Sequence, residues 1–296
     1  MAQIIKGDEI AAKIFKDIKK QVETLERQPN LAVVFVGDDF SSKSYVRAKK
    51  RSGKKAGIDV VVYDYPENIS EEVILDKIEK LNLDNGTDGI IVQLPLPAHL
   101  NESKIINSVK ASKDVDGFTY YNAGRLFKGQ PLFEPCTPKG IMFMLKESGI
   151  DVSSKNCVVV GRGNLVGLPL ARMLTEANAT VTLCHSKTKN LEKFTKEADI
   201  LVVAIGVSKF IKNYHIKDGA VVIDVGISRD KNNKISGDVD FEAVKEVASY
   251  ISPVPKGVGP LTISMLLTNT LKAYKGEFYD WLWFKWYCRN EKTTPL

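Results

Sequence analysis

Apolar positions along this chain switch between two periods. Over residues 7–27, Ile10, Ile14, Phe15, Ile18, Val22 and Leu25 recur with the spacing of a helix face. Leu31–Val36 is an unbroken apolar run ending at Gly37, the pattern of a strand buried on both faces. A polar, basic helix ending near Gly57 follows, then a strand over Val60–Tyr63 and a helix over Ser70–Leu81. Gly89–Leu94 reads as a third strand and Asn101–Val109 as a short helix. Residues 111–136 read as a loop. The rhythm then restarts, with Thr137-Pro138 as a capped helix start. Strands are expected at Cys157–Val160, Thr180–Cys184, Ile200–Ala204 and Val221–Val225, with a helix over Val166–Ala177. Ser252–Pro260 reads as a proline/glycine loop, and a last helix as running from about Leu261 to Tyr274. Repeated strand–helix–strand order predicts parallel sheets covered by helices.

The 296-residue length suits about two domains. With 44% hydrophobic and 26% charged residues, the chain is too apolar to be disordered. No run approaches the roughly 20 apolar residues of a membrane span, and the opening M-A-Q-I-I-K-G-D-E-I becomes charged too early for a secretory signal. Cys136, Cys157, Cys184 and Cys288 lack zinc spacing and are too few for a disulfide scaffold. The expectation is a cytoplasmic, metal-free globular protein. Of the net charge of +6, the first 60 residues carry +5. Lys43 to Lys55 holds seven basic residues and no acid. Such a block suits a nucleic acid, a small anion or a solvated helix face.

Two sets of residues carry chemistry. The strand Cys157–Val160 runs into G-R-G-N-L-V-G, with Gly161, Gly163 and Gly167, and then into a helix. Strand, glycine turn and helix N-terminus form the context of a dinucleotide fingerprint, although the third glycine falls one residue late. About 20 residues on, an NAD site places an acid for the ribose hydroxyls. Here the sequence is L-C-H-S-K-T (Leu183–Thr188) with no acid, while Arg162, His185, Ser186 and Lys187 suit a 2′-phosphate. NADP is therefore the expected cofactor. The glycines alone also fit a turn that serves only helix–strand packing.

In the first half, Tyr45 and Lys49 are four residues apart and share one helix face. Gln93 closes the third strand, where open parallel sheets bind ligands. Asp116 lies in K-D-V-D-G. Taken singly, such a lysine is ordinarily a solvated charge, the glutamine a loop hydrogen-bonder and Asp-Gly a turn. Only their convergence on one crevice makes a site.

Ten segments, in order over residues 1–275, resemble the bifunctional methylenetetrahydrofolate dehydrogenase/methenyltetrahydrofolate cyclohydrolase family. Those of the first half are V-G-D-D-F-S-S-K-S-Y-V-R-A-K-K (Val36–Lys50), I-V-Q-L-P-L-P (Ile91–Pro97), K-D-V-D-G-F (Lys113–Phe118), N-A-G-R-L (Asn122–Leu126) and P-C-T-P-K-G (Pro135–Gly140). The others are V-V-V-G-R-G-N-L-V-G-L-P (Val158–Pro169), C-H-S-K-T (Cys184–Thr188), V-I-D-V-G-I (Val222–Ile227), G-D-V (Gly237–Val239) and P-V-P-K-G-V-G-P-L-T (Pro253–Thr262). The resemblance implies two α/β domains flanking a cleft. A folate-binding catalytic domain would span residues 1–117 with about 262–296, and a Rossmann-type NADP-binding domain 118–261. It implies NADP-dependent oxidation of 5,10-methylenetetrahydrofolate, hydrolysis of the methenyl product to 10-formyltetrahydrofolate, and a homodimer.

By the same resemblance, Lys49 is the key catalytic residue, Tyr45 stacks on the folate, Gln93 sits beside the lysine and Asp116 holds the pterin. Pro253, Gly257, Gly259 and Pro260 line the folate cleft. Gly161, Arg162, Gly163, Asn164, Val166, Gly167, His185, Ser186 and Ile227 hold the cofactor. Three features depart from the pattern. Gly163 stands where serine is frequent, and Lys256 where glycine is common. The segment 278–287, with seven aromatics, has no counterpart; it reads as a packed tail or as an interaction or membrane-surface patch. Competing readings are a dehydrogenase without cyclohydrolase activity, an idle NADP sensor, and a nucleic-acid binder using the basic block. The last lacks interleaved aromatics beyond Tyr45 and any known binding module.

Overall fold

Residues 1–229 and 234–278 are described by a computed structural model. In chain order the elements are β1 (Gln3–Ile4), α1 (Gly7–Val22), β2 (Asn30–Val36), α2 (Phe40–Ala56), β3 (Asp59–Tyr65), α3 (Glu71–Leu83), β4 (Gly89–Val92), α4 (Glu102–Asn107) and α5 (Tyr120–Phe127). There follow α6 (Cys136–Glu147), β5 (Asn156–Val160), α7 (Gly167–Glu176), β6 (Thr180–Cys184), α8 (Leu191–Thr195), β7 (Ile200–Val203) and β8 (Val221–Asp224). The last are β9 (Ser228–Arg229), β10 (Ile235–Ser236), α9 (Phe241–Val244), β11 (Tyr250–Ile251) and α10 (Val258–Lys275).

The expected strands form two parallel sheets. The smaller has the order β3-β2-β4, the larger β1-β11-β8-β7-β5-β6. Alternation along β2 explains its unbroken apolar run. Leu31, Val33 and Phe35 meet a cluster with Met265 and Leu266 of α10, while Ala32, Val34 and Val36 meet Ile74 and Ile78 of α3. In the same way β5 sends Cys157 and Val159 to one side of its sheet and Val158 and Val160 to the other. Helix α10 joins both cores. Its Val258 and Leu261 pack in the larger sheet's core, and Met265 through Leu271 in the smaller sheet's.

Several elements differ from expectation. Helix α1 stops at Val22, and Leu25 packs from the turn beyond it. Residues 120–127, read as loop, form α5, capped by Thr119, whose hydroxyl accepts from the Asn122 N–H at 3.3 Å. Helix α6 starts at Cys136 with Pro135 as its cap residue, so Thr137 does not cap it and its hydroxyl instead meets that of Thr262 at 3.0 Å. Helix α10 begins at Val258, which puts Gly259 and Pro260 in its first turn rather than in a loop. The two-residue strand β1 pairs with β11 and ties the start of the chain into the larger sheet. Of the aromatic segment, Phe278 packs edge-on to Phe133 at 5.9 Å; residues 279–287 and Cys288 lie outside the described residues.

Candidate active site

The basic block forms α2. Asp39 caps it, its carboxylate accepting from the Ser42 N–H at 2.7 Å. Arg47, Lys50, Arg51, Lys54 and Lys55 are exposed, whereas Lys49 is only 6% exposed. One lysine of the block is thus set apart by the fold. Its Nζ donates to Gln93 Oε1 at 2.9 Å and lies 5.5 Å from the centre of the Tyr45 ring, one turn earlier. Gln93 follows β4. Its Nε2 donates to the Leu94 carbonyl at 2.8 Å, which turns the amide so that its oxygen faces the lysine. Burial lowers the pKa of Lys49, against opposing pulls from Asp116 and Cys136.

The two aspartates of K-D-V-D-G have different jobs. Asp114 is buried and forms the turn: Oδ1 accepts from the N–H groups of Gly117 and Phe118, and Oδ2 from Thr119 N–H and Asn122 Nδ2. That leaves the Asp116 carboxylate for the cleft. Burial raises its pKa, with the nearby Lys49 charge opposing. The Cys136 thiol hydrogen-bonds within this group, 3.4 Å from the Val115 carbonyl and beside Asp116; burial pushes its pKa well above the usual thiol range, and the carboxylate adds to the effect. Burial takes the Tyr45 phenol to about 12, so it stays protonated.

Two contributors escape sequence reasoning. Cys136 lies in P-C-T-P-K-G, and in sequence it can be tested only against zinc and disulfide spacing, which it lacks. Asn269, fully buried on α10, donates to the carbonyls of Val115 at 2.8 Å and Glu134 at 3.1 Å. Its Oδ1 accepts from Lys139 at 2.9 Å. It thereby fixes the backbone on either side of the Asp116–Cys136 contact. No local pattern marks it, because its partners are more than 120 residues away.

On the larger sheet, the glycine turn follows β5, where the strand order reverses between β5 and β7. Gly161 has φ +121, and a methyl there would meet the Ala204 carbonyl oxygen at 2.2 Å; one at Gly167 would meet the Gly161 oxygen at 1.9 Å. Only glycine closes this turn, which packs onto the start of α7. Gly163 has nothing within 4 Å of such a methyl, so a serine there meets no obstacle. Arg162, Gly163, Asn164, Ser186 and Lys187 are exposed, Val166 and His185 half-buried, and Gly167 buried. His185 Nδ1 accepts from the Lys187 N–H at 3.1 Å, which shapes the turn after β6. A bare glycine cradle with cationic and hydroxyl groups beyond it fits a dinucleotide carrying an extra phosphate.

The halves meet at Gly259. A methyl there would sit 3.9 Å from Ile227 Cδ1 and 4.0 Å from Tyr45 Oη, and Tyr45 Oη lies 3.4 Å from the Gly259 carbonyl. Pro253 and Pro260 are half-buried and Gly257 is buried, at the start of α10. Lys256 has φ +79, the left-handed region that suits glycine. Its carbonyl accepts from the Asp8 N–H at 3.1 Å. The fold thus gathers Tyr45, Lys49, Gln93, Asp116, Gly259 and Ile227. The glycine turn and His185–Lys187 lie along the larger sheet's own edge.

Comparison with known proteins places the chain in a family. The model for "Tetrahydrofolate dehydrogenase/cyclohydrolase, catalytic domain" matches residues 5–116, and that for the "NAD(P)-binding domain" of the same enzymes matches 135–278. The "Bifunctional protein FolD" of Listeria innocua is 51% identical over 278 residues, 93% of this chain and 98% of that protein. The crystal structure of the FolD methylenetetrahydrofolate dehydrogenase/cyclohydrolase of Campylobacter jejuni superposes with a TM-score of 0.91 at 44% identity, covering 94% of this chain and 100% of that one. The Trypanosoma brucei dehydrogenase-cyclohydrolase, solved with NADP cofactor and an inhibitor, gives 0.90 at 35% identity, covering 93% and 98%.

Proposed function

The chain belongs to the tetrahydrofolate dehydrogenase/cyclohydrolase family, and on that basis we propose how its cleft divides the work. It is a bifunctional enzyme: it oxidises 5,10-methylenetetrahydrofolate with NADP⁺ and hydrolyses the 5,10-methenyl cation to 10-formyltetrahydrofolate. When bound, NADP⁺ supplies the nicotinamide carbon that accepts the hydride. Gly161, Arg162, Gly163, Asn164, Val166, Gly167, His185 and Ser186 hold the nucleotide, Lys187 adds charge near its 2′-phosphate, and Ile227 stands where it meets the folate. What supports this is the glycine cradle and the absence of an acid after β6.

Tyr45 offers its ring to the folate, while Pro253, Gly257, Gly259 and Pro260 wall the cleft. Asp116 accepts paired hydrogen bonds from the pterin amino and ring N–H groups. Lys49 Nζ takes a proton from the water that attacks the methenyl carbon. It returns one to N5 as the carbon–N5 bond breaks, and the second water proton leaves as the formyl carbonyl forms. Gln93 holds the lysine without a charge that would fix it as an ammonium. The observation that carries this reading is the buried Lys49, its pKa lowered, held at 2.9 Å by Gln93 and facing Asp116.

The domain assignment, 1–117 with about 262–296 for folate and 118–261 for NADP, is part of the proposal and is supported by the two sheets and by α10 packing in the smaller sheet's core. So is the homodimer. Exposed Val207, Phe210 and Ile235, gathered by the Ser208–Ser236 and Lys209–Gly237 hydrogen bonds, suit a covered apolar face. Light scattering that gives a monomer mass at micromolar concentration would remove that part. Among the described residues no helix is long and apolar enough to cross a membrane, and Cys136, Cys157 and Cys184 are free and buried, which suits a reducing cytoplasm. No specific nucleic-acid partner is proposed, because the basic block's buried member is engaged in the cleft.

A spectrophotometric time course with methylenetetrahydrofolate and NADP⁺ tests the whole reading. The methenyl species should appear with NADPH and then decay. No NADPH formation would overturn the dehydrogenase assignment, and a methenyl species that decays no faster than in buffer would overturn the hydrolase.

A further inference from the structure

Two buried aspartates beneath the cleft take no part in the scheme above. Asp224 ends β8 at 3% exposure, and Asp238, just after β10, has none. Asp224 Oδ1 accepts from the N–H groups of Gly226 at 3.2 Å and Asp238 at 2.9 Å, and Oδ2 from Val239 at 3.0 Å. Its own N–H donates to Ser252 Oγ at 2.8 Å. Asp238 Oδ2 accepts from Ile205 at 2.7 Å and Gly206 at 3.0 Å, while its Oδ1 is buried with no hydrogen-bond partner among the described residues. A methyl on Gly226 would lie 2.0 Å from Asp238 Cγ, so this carboxylate is seated directly against the 225–227 loop.

The arrangement is a clamp on two loops. Asp238 ties down 205–206, the loop after β7, and abuts Gly226 in the loop after β8; Asp224 ties Gly226 to the backbone of 238–239. Both loops leave the carboxyl edge of the larger sheet, where ligands of such sheets bind. The next residue after Gly226 is Ile227, 52% exposed, whose side chain reaches Gly259 and the neighbourhood of Tyr45. Carboxylates accepting several backbone N–H groups hold a loop more firmly than neutral acceptors do.

We propose that Asp238 and Asp224 are positioning residues for the dehydrogenase half of the site, setting the height of the 205–207 and 225–227 loops and so placing Ile227 at the junction of the two ligands. This rests on the assignment of NADP to the crevice. The hydrolase half depends on Lys49, Gln93 and Asp116, which belong to the other sheet's edge, and is therefore spared by changes to the clamp.

The test uses the full-length chain and three variants. Asp238→Asn keeps the volume and one acceptor but turns an amide N–H₂ toward Gly226. Gly226→Ala drives a methyl into the carboxylate without changing charge. Ile227→Ala removes the exposed side chain that the clamp places and asks nothing of the core. The readouts are the NADP⁺ Kd by calorimetry, dehydrogenase kcat and KM, and hydrolysis of methenyltetrahydrofolate supplied directly without cofactor. For each variant the Kd should rise about tenfold, and dehydrogenase kcat/KM should fall roughly 10- to 100-fold. In Asp238→Asn and Gly226→Ala, hydrolysis should stay within about twofold of wild type. Hydrolysis falling in step with dehydrogenation in the clamp variants would show a merely structural role and overturn the proposal. So would an unchanged Kd and dehydrogenase rate in Ile227→Ala, a result available even if the clamp variants fail to fold. Wild-type protein that bound no NADP⁺ would instead overturn the underlying assignment.

Discussion

At the smaller sheet's edge, Lys49, Gln93, Asp116 and Cys136 crowd together, each altering the charge state or orientation of the next. At the larger sheet's edge, Gly161 and Gly167 let the backbone turn close against the carbonyls of Ala204 and Gly161. The difference follows from the chemistry each edge serves. Hydrolysis needs a protein group that takes up and releases a proton, which calls for a functional side chain with a displaced pKa. Hydride transfer needs two ligands held in register, which calls for space, backbone N–H groups and a rigid frame. The first edge is sensitive to the identity of a group, the second to the volume of one.

The largest expected effect separates the two edges. Lys49→Gln should lower cyclohydrolase kcat about 10²- to 10⁴-fold, the range of a lost general acid–base. Its NADP⁺ affinity, read by calorimetry, should be that of wild type. Next comes volume. Gly161→Ala, with a methyl 2.2 Å from the Ala204 oxygen and φ at +121, should weaken NADP⁺ binding and cost about 1–3 kcal/mol of stability in a thermal melt. Gly163→Ser, in open space, should change stability by less than about 0.5 kcal/mol.

Charge coupling at the first edge gives a pH prediction. Burial lowers the Lys49 pKa and Asp116 raises it. Lys49 acts as a base when neutral, so wild-type hydrolysis should rise with pH through that pKa and then level off. Asp116→Asn removes the upward pull, so at saturating substrate the rising limb should move to lower pH. A shift to higher pH would contradict the coupling. A modest effect is expected at the rim. Lys256→Gly relieves a left-handed lysine and should stabilise by up to about 1 kcal/mol. An equal loss would show that the extra flexibility of glycine outweighs the strain.

How much of this was legible in the sequence depended on range. The buried strands were, because a two-sided apolar run such as Leu31–Val36 has few other uses. Strands β1, β9, β10 and β11 were not, being two residues each and too short to show a period. Helix α5 read as loop because its sequence, Y-Y-N-A-G-R-L-F, carries a glycine and leaves Tyr120, Tyr121 and Phe127 exposed. At the site, the Tyr45–Lys49 spacing and the Gly161 turn were local and visible. The burial of Lys49 was not, since its six basic neighbours look the same in sequence and only tertiary packing distinguishes it. Likewise Asp114 and Asp116 are interchangeable as letters, and the hydrogen bonds that occupy the first are what free the second. Asn269 needed the return of α10 and could not be seen at all.

The separability of the two edges is tested most directly by one rate: hydrolysis of methenyltetrahydrofolate, supplied without NADP⁺, in Gly161→Ala. The variant's methyl forces the glycine turn away from the Ala204 carbonyl, while Lys49, Gln93 and Asp116 are untouched. The rate should stay within about twofold of wild type even as NADP⁺ affinity falls. A hydrolysis rate that dropped together with that affinity would contradict the division of labour described here.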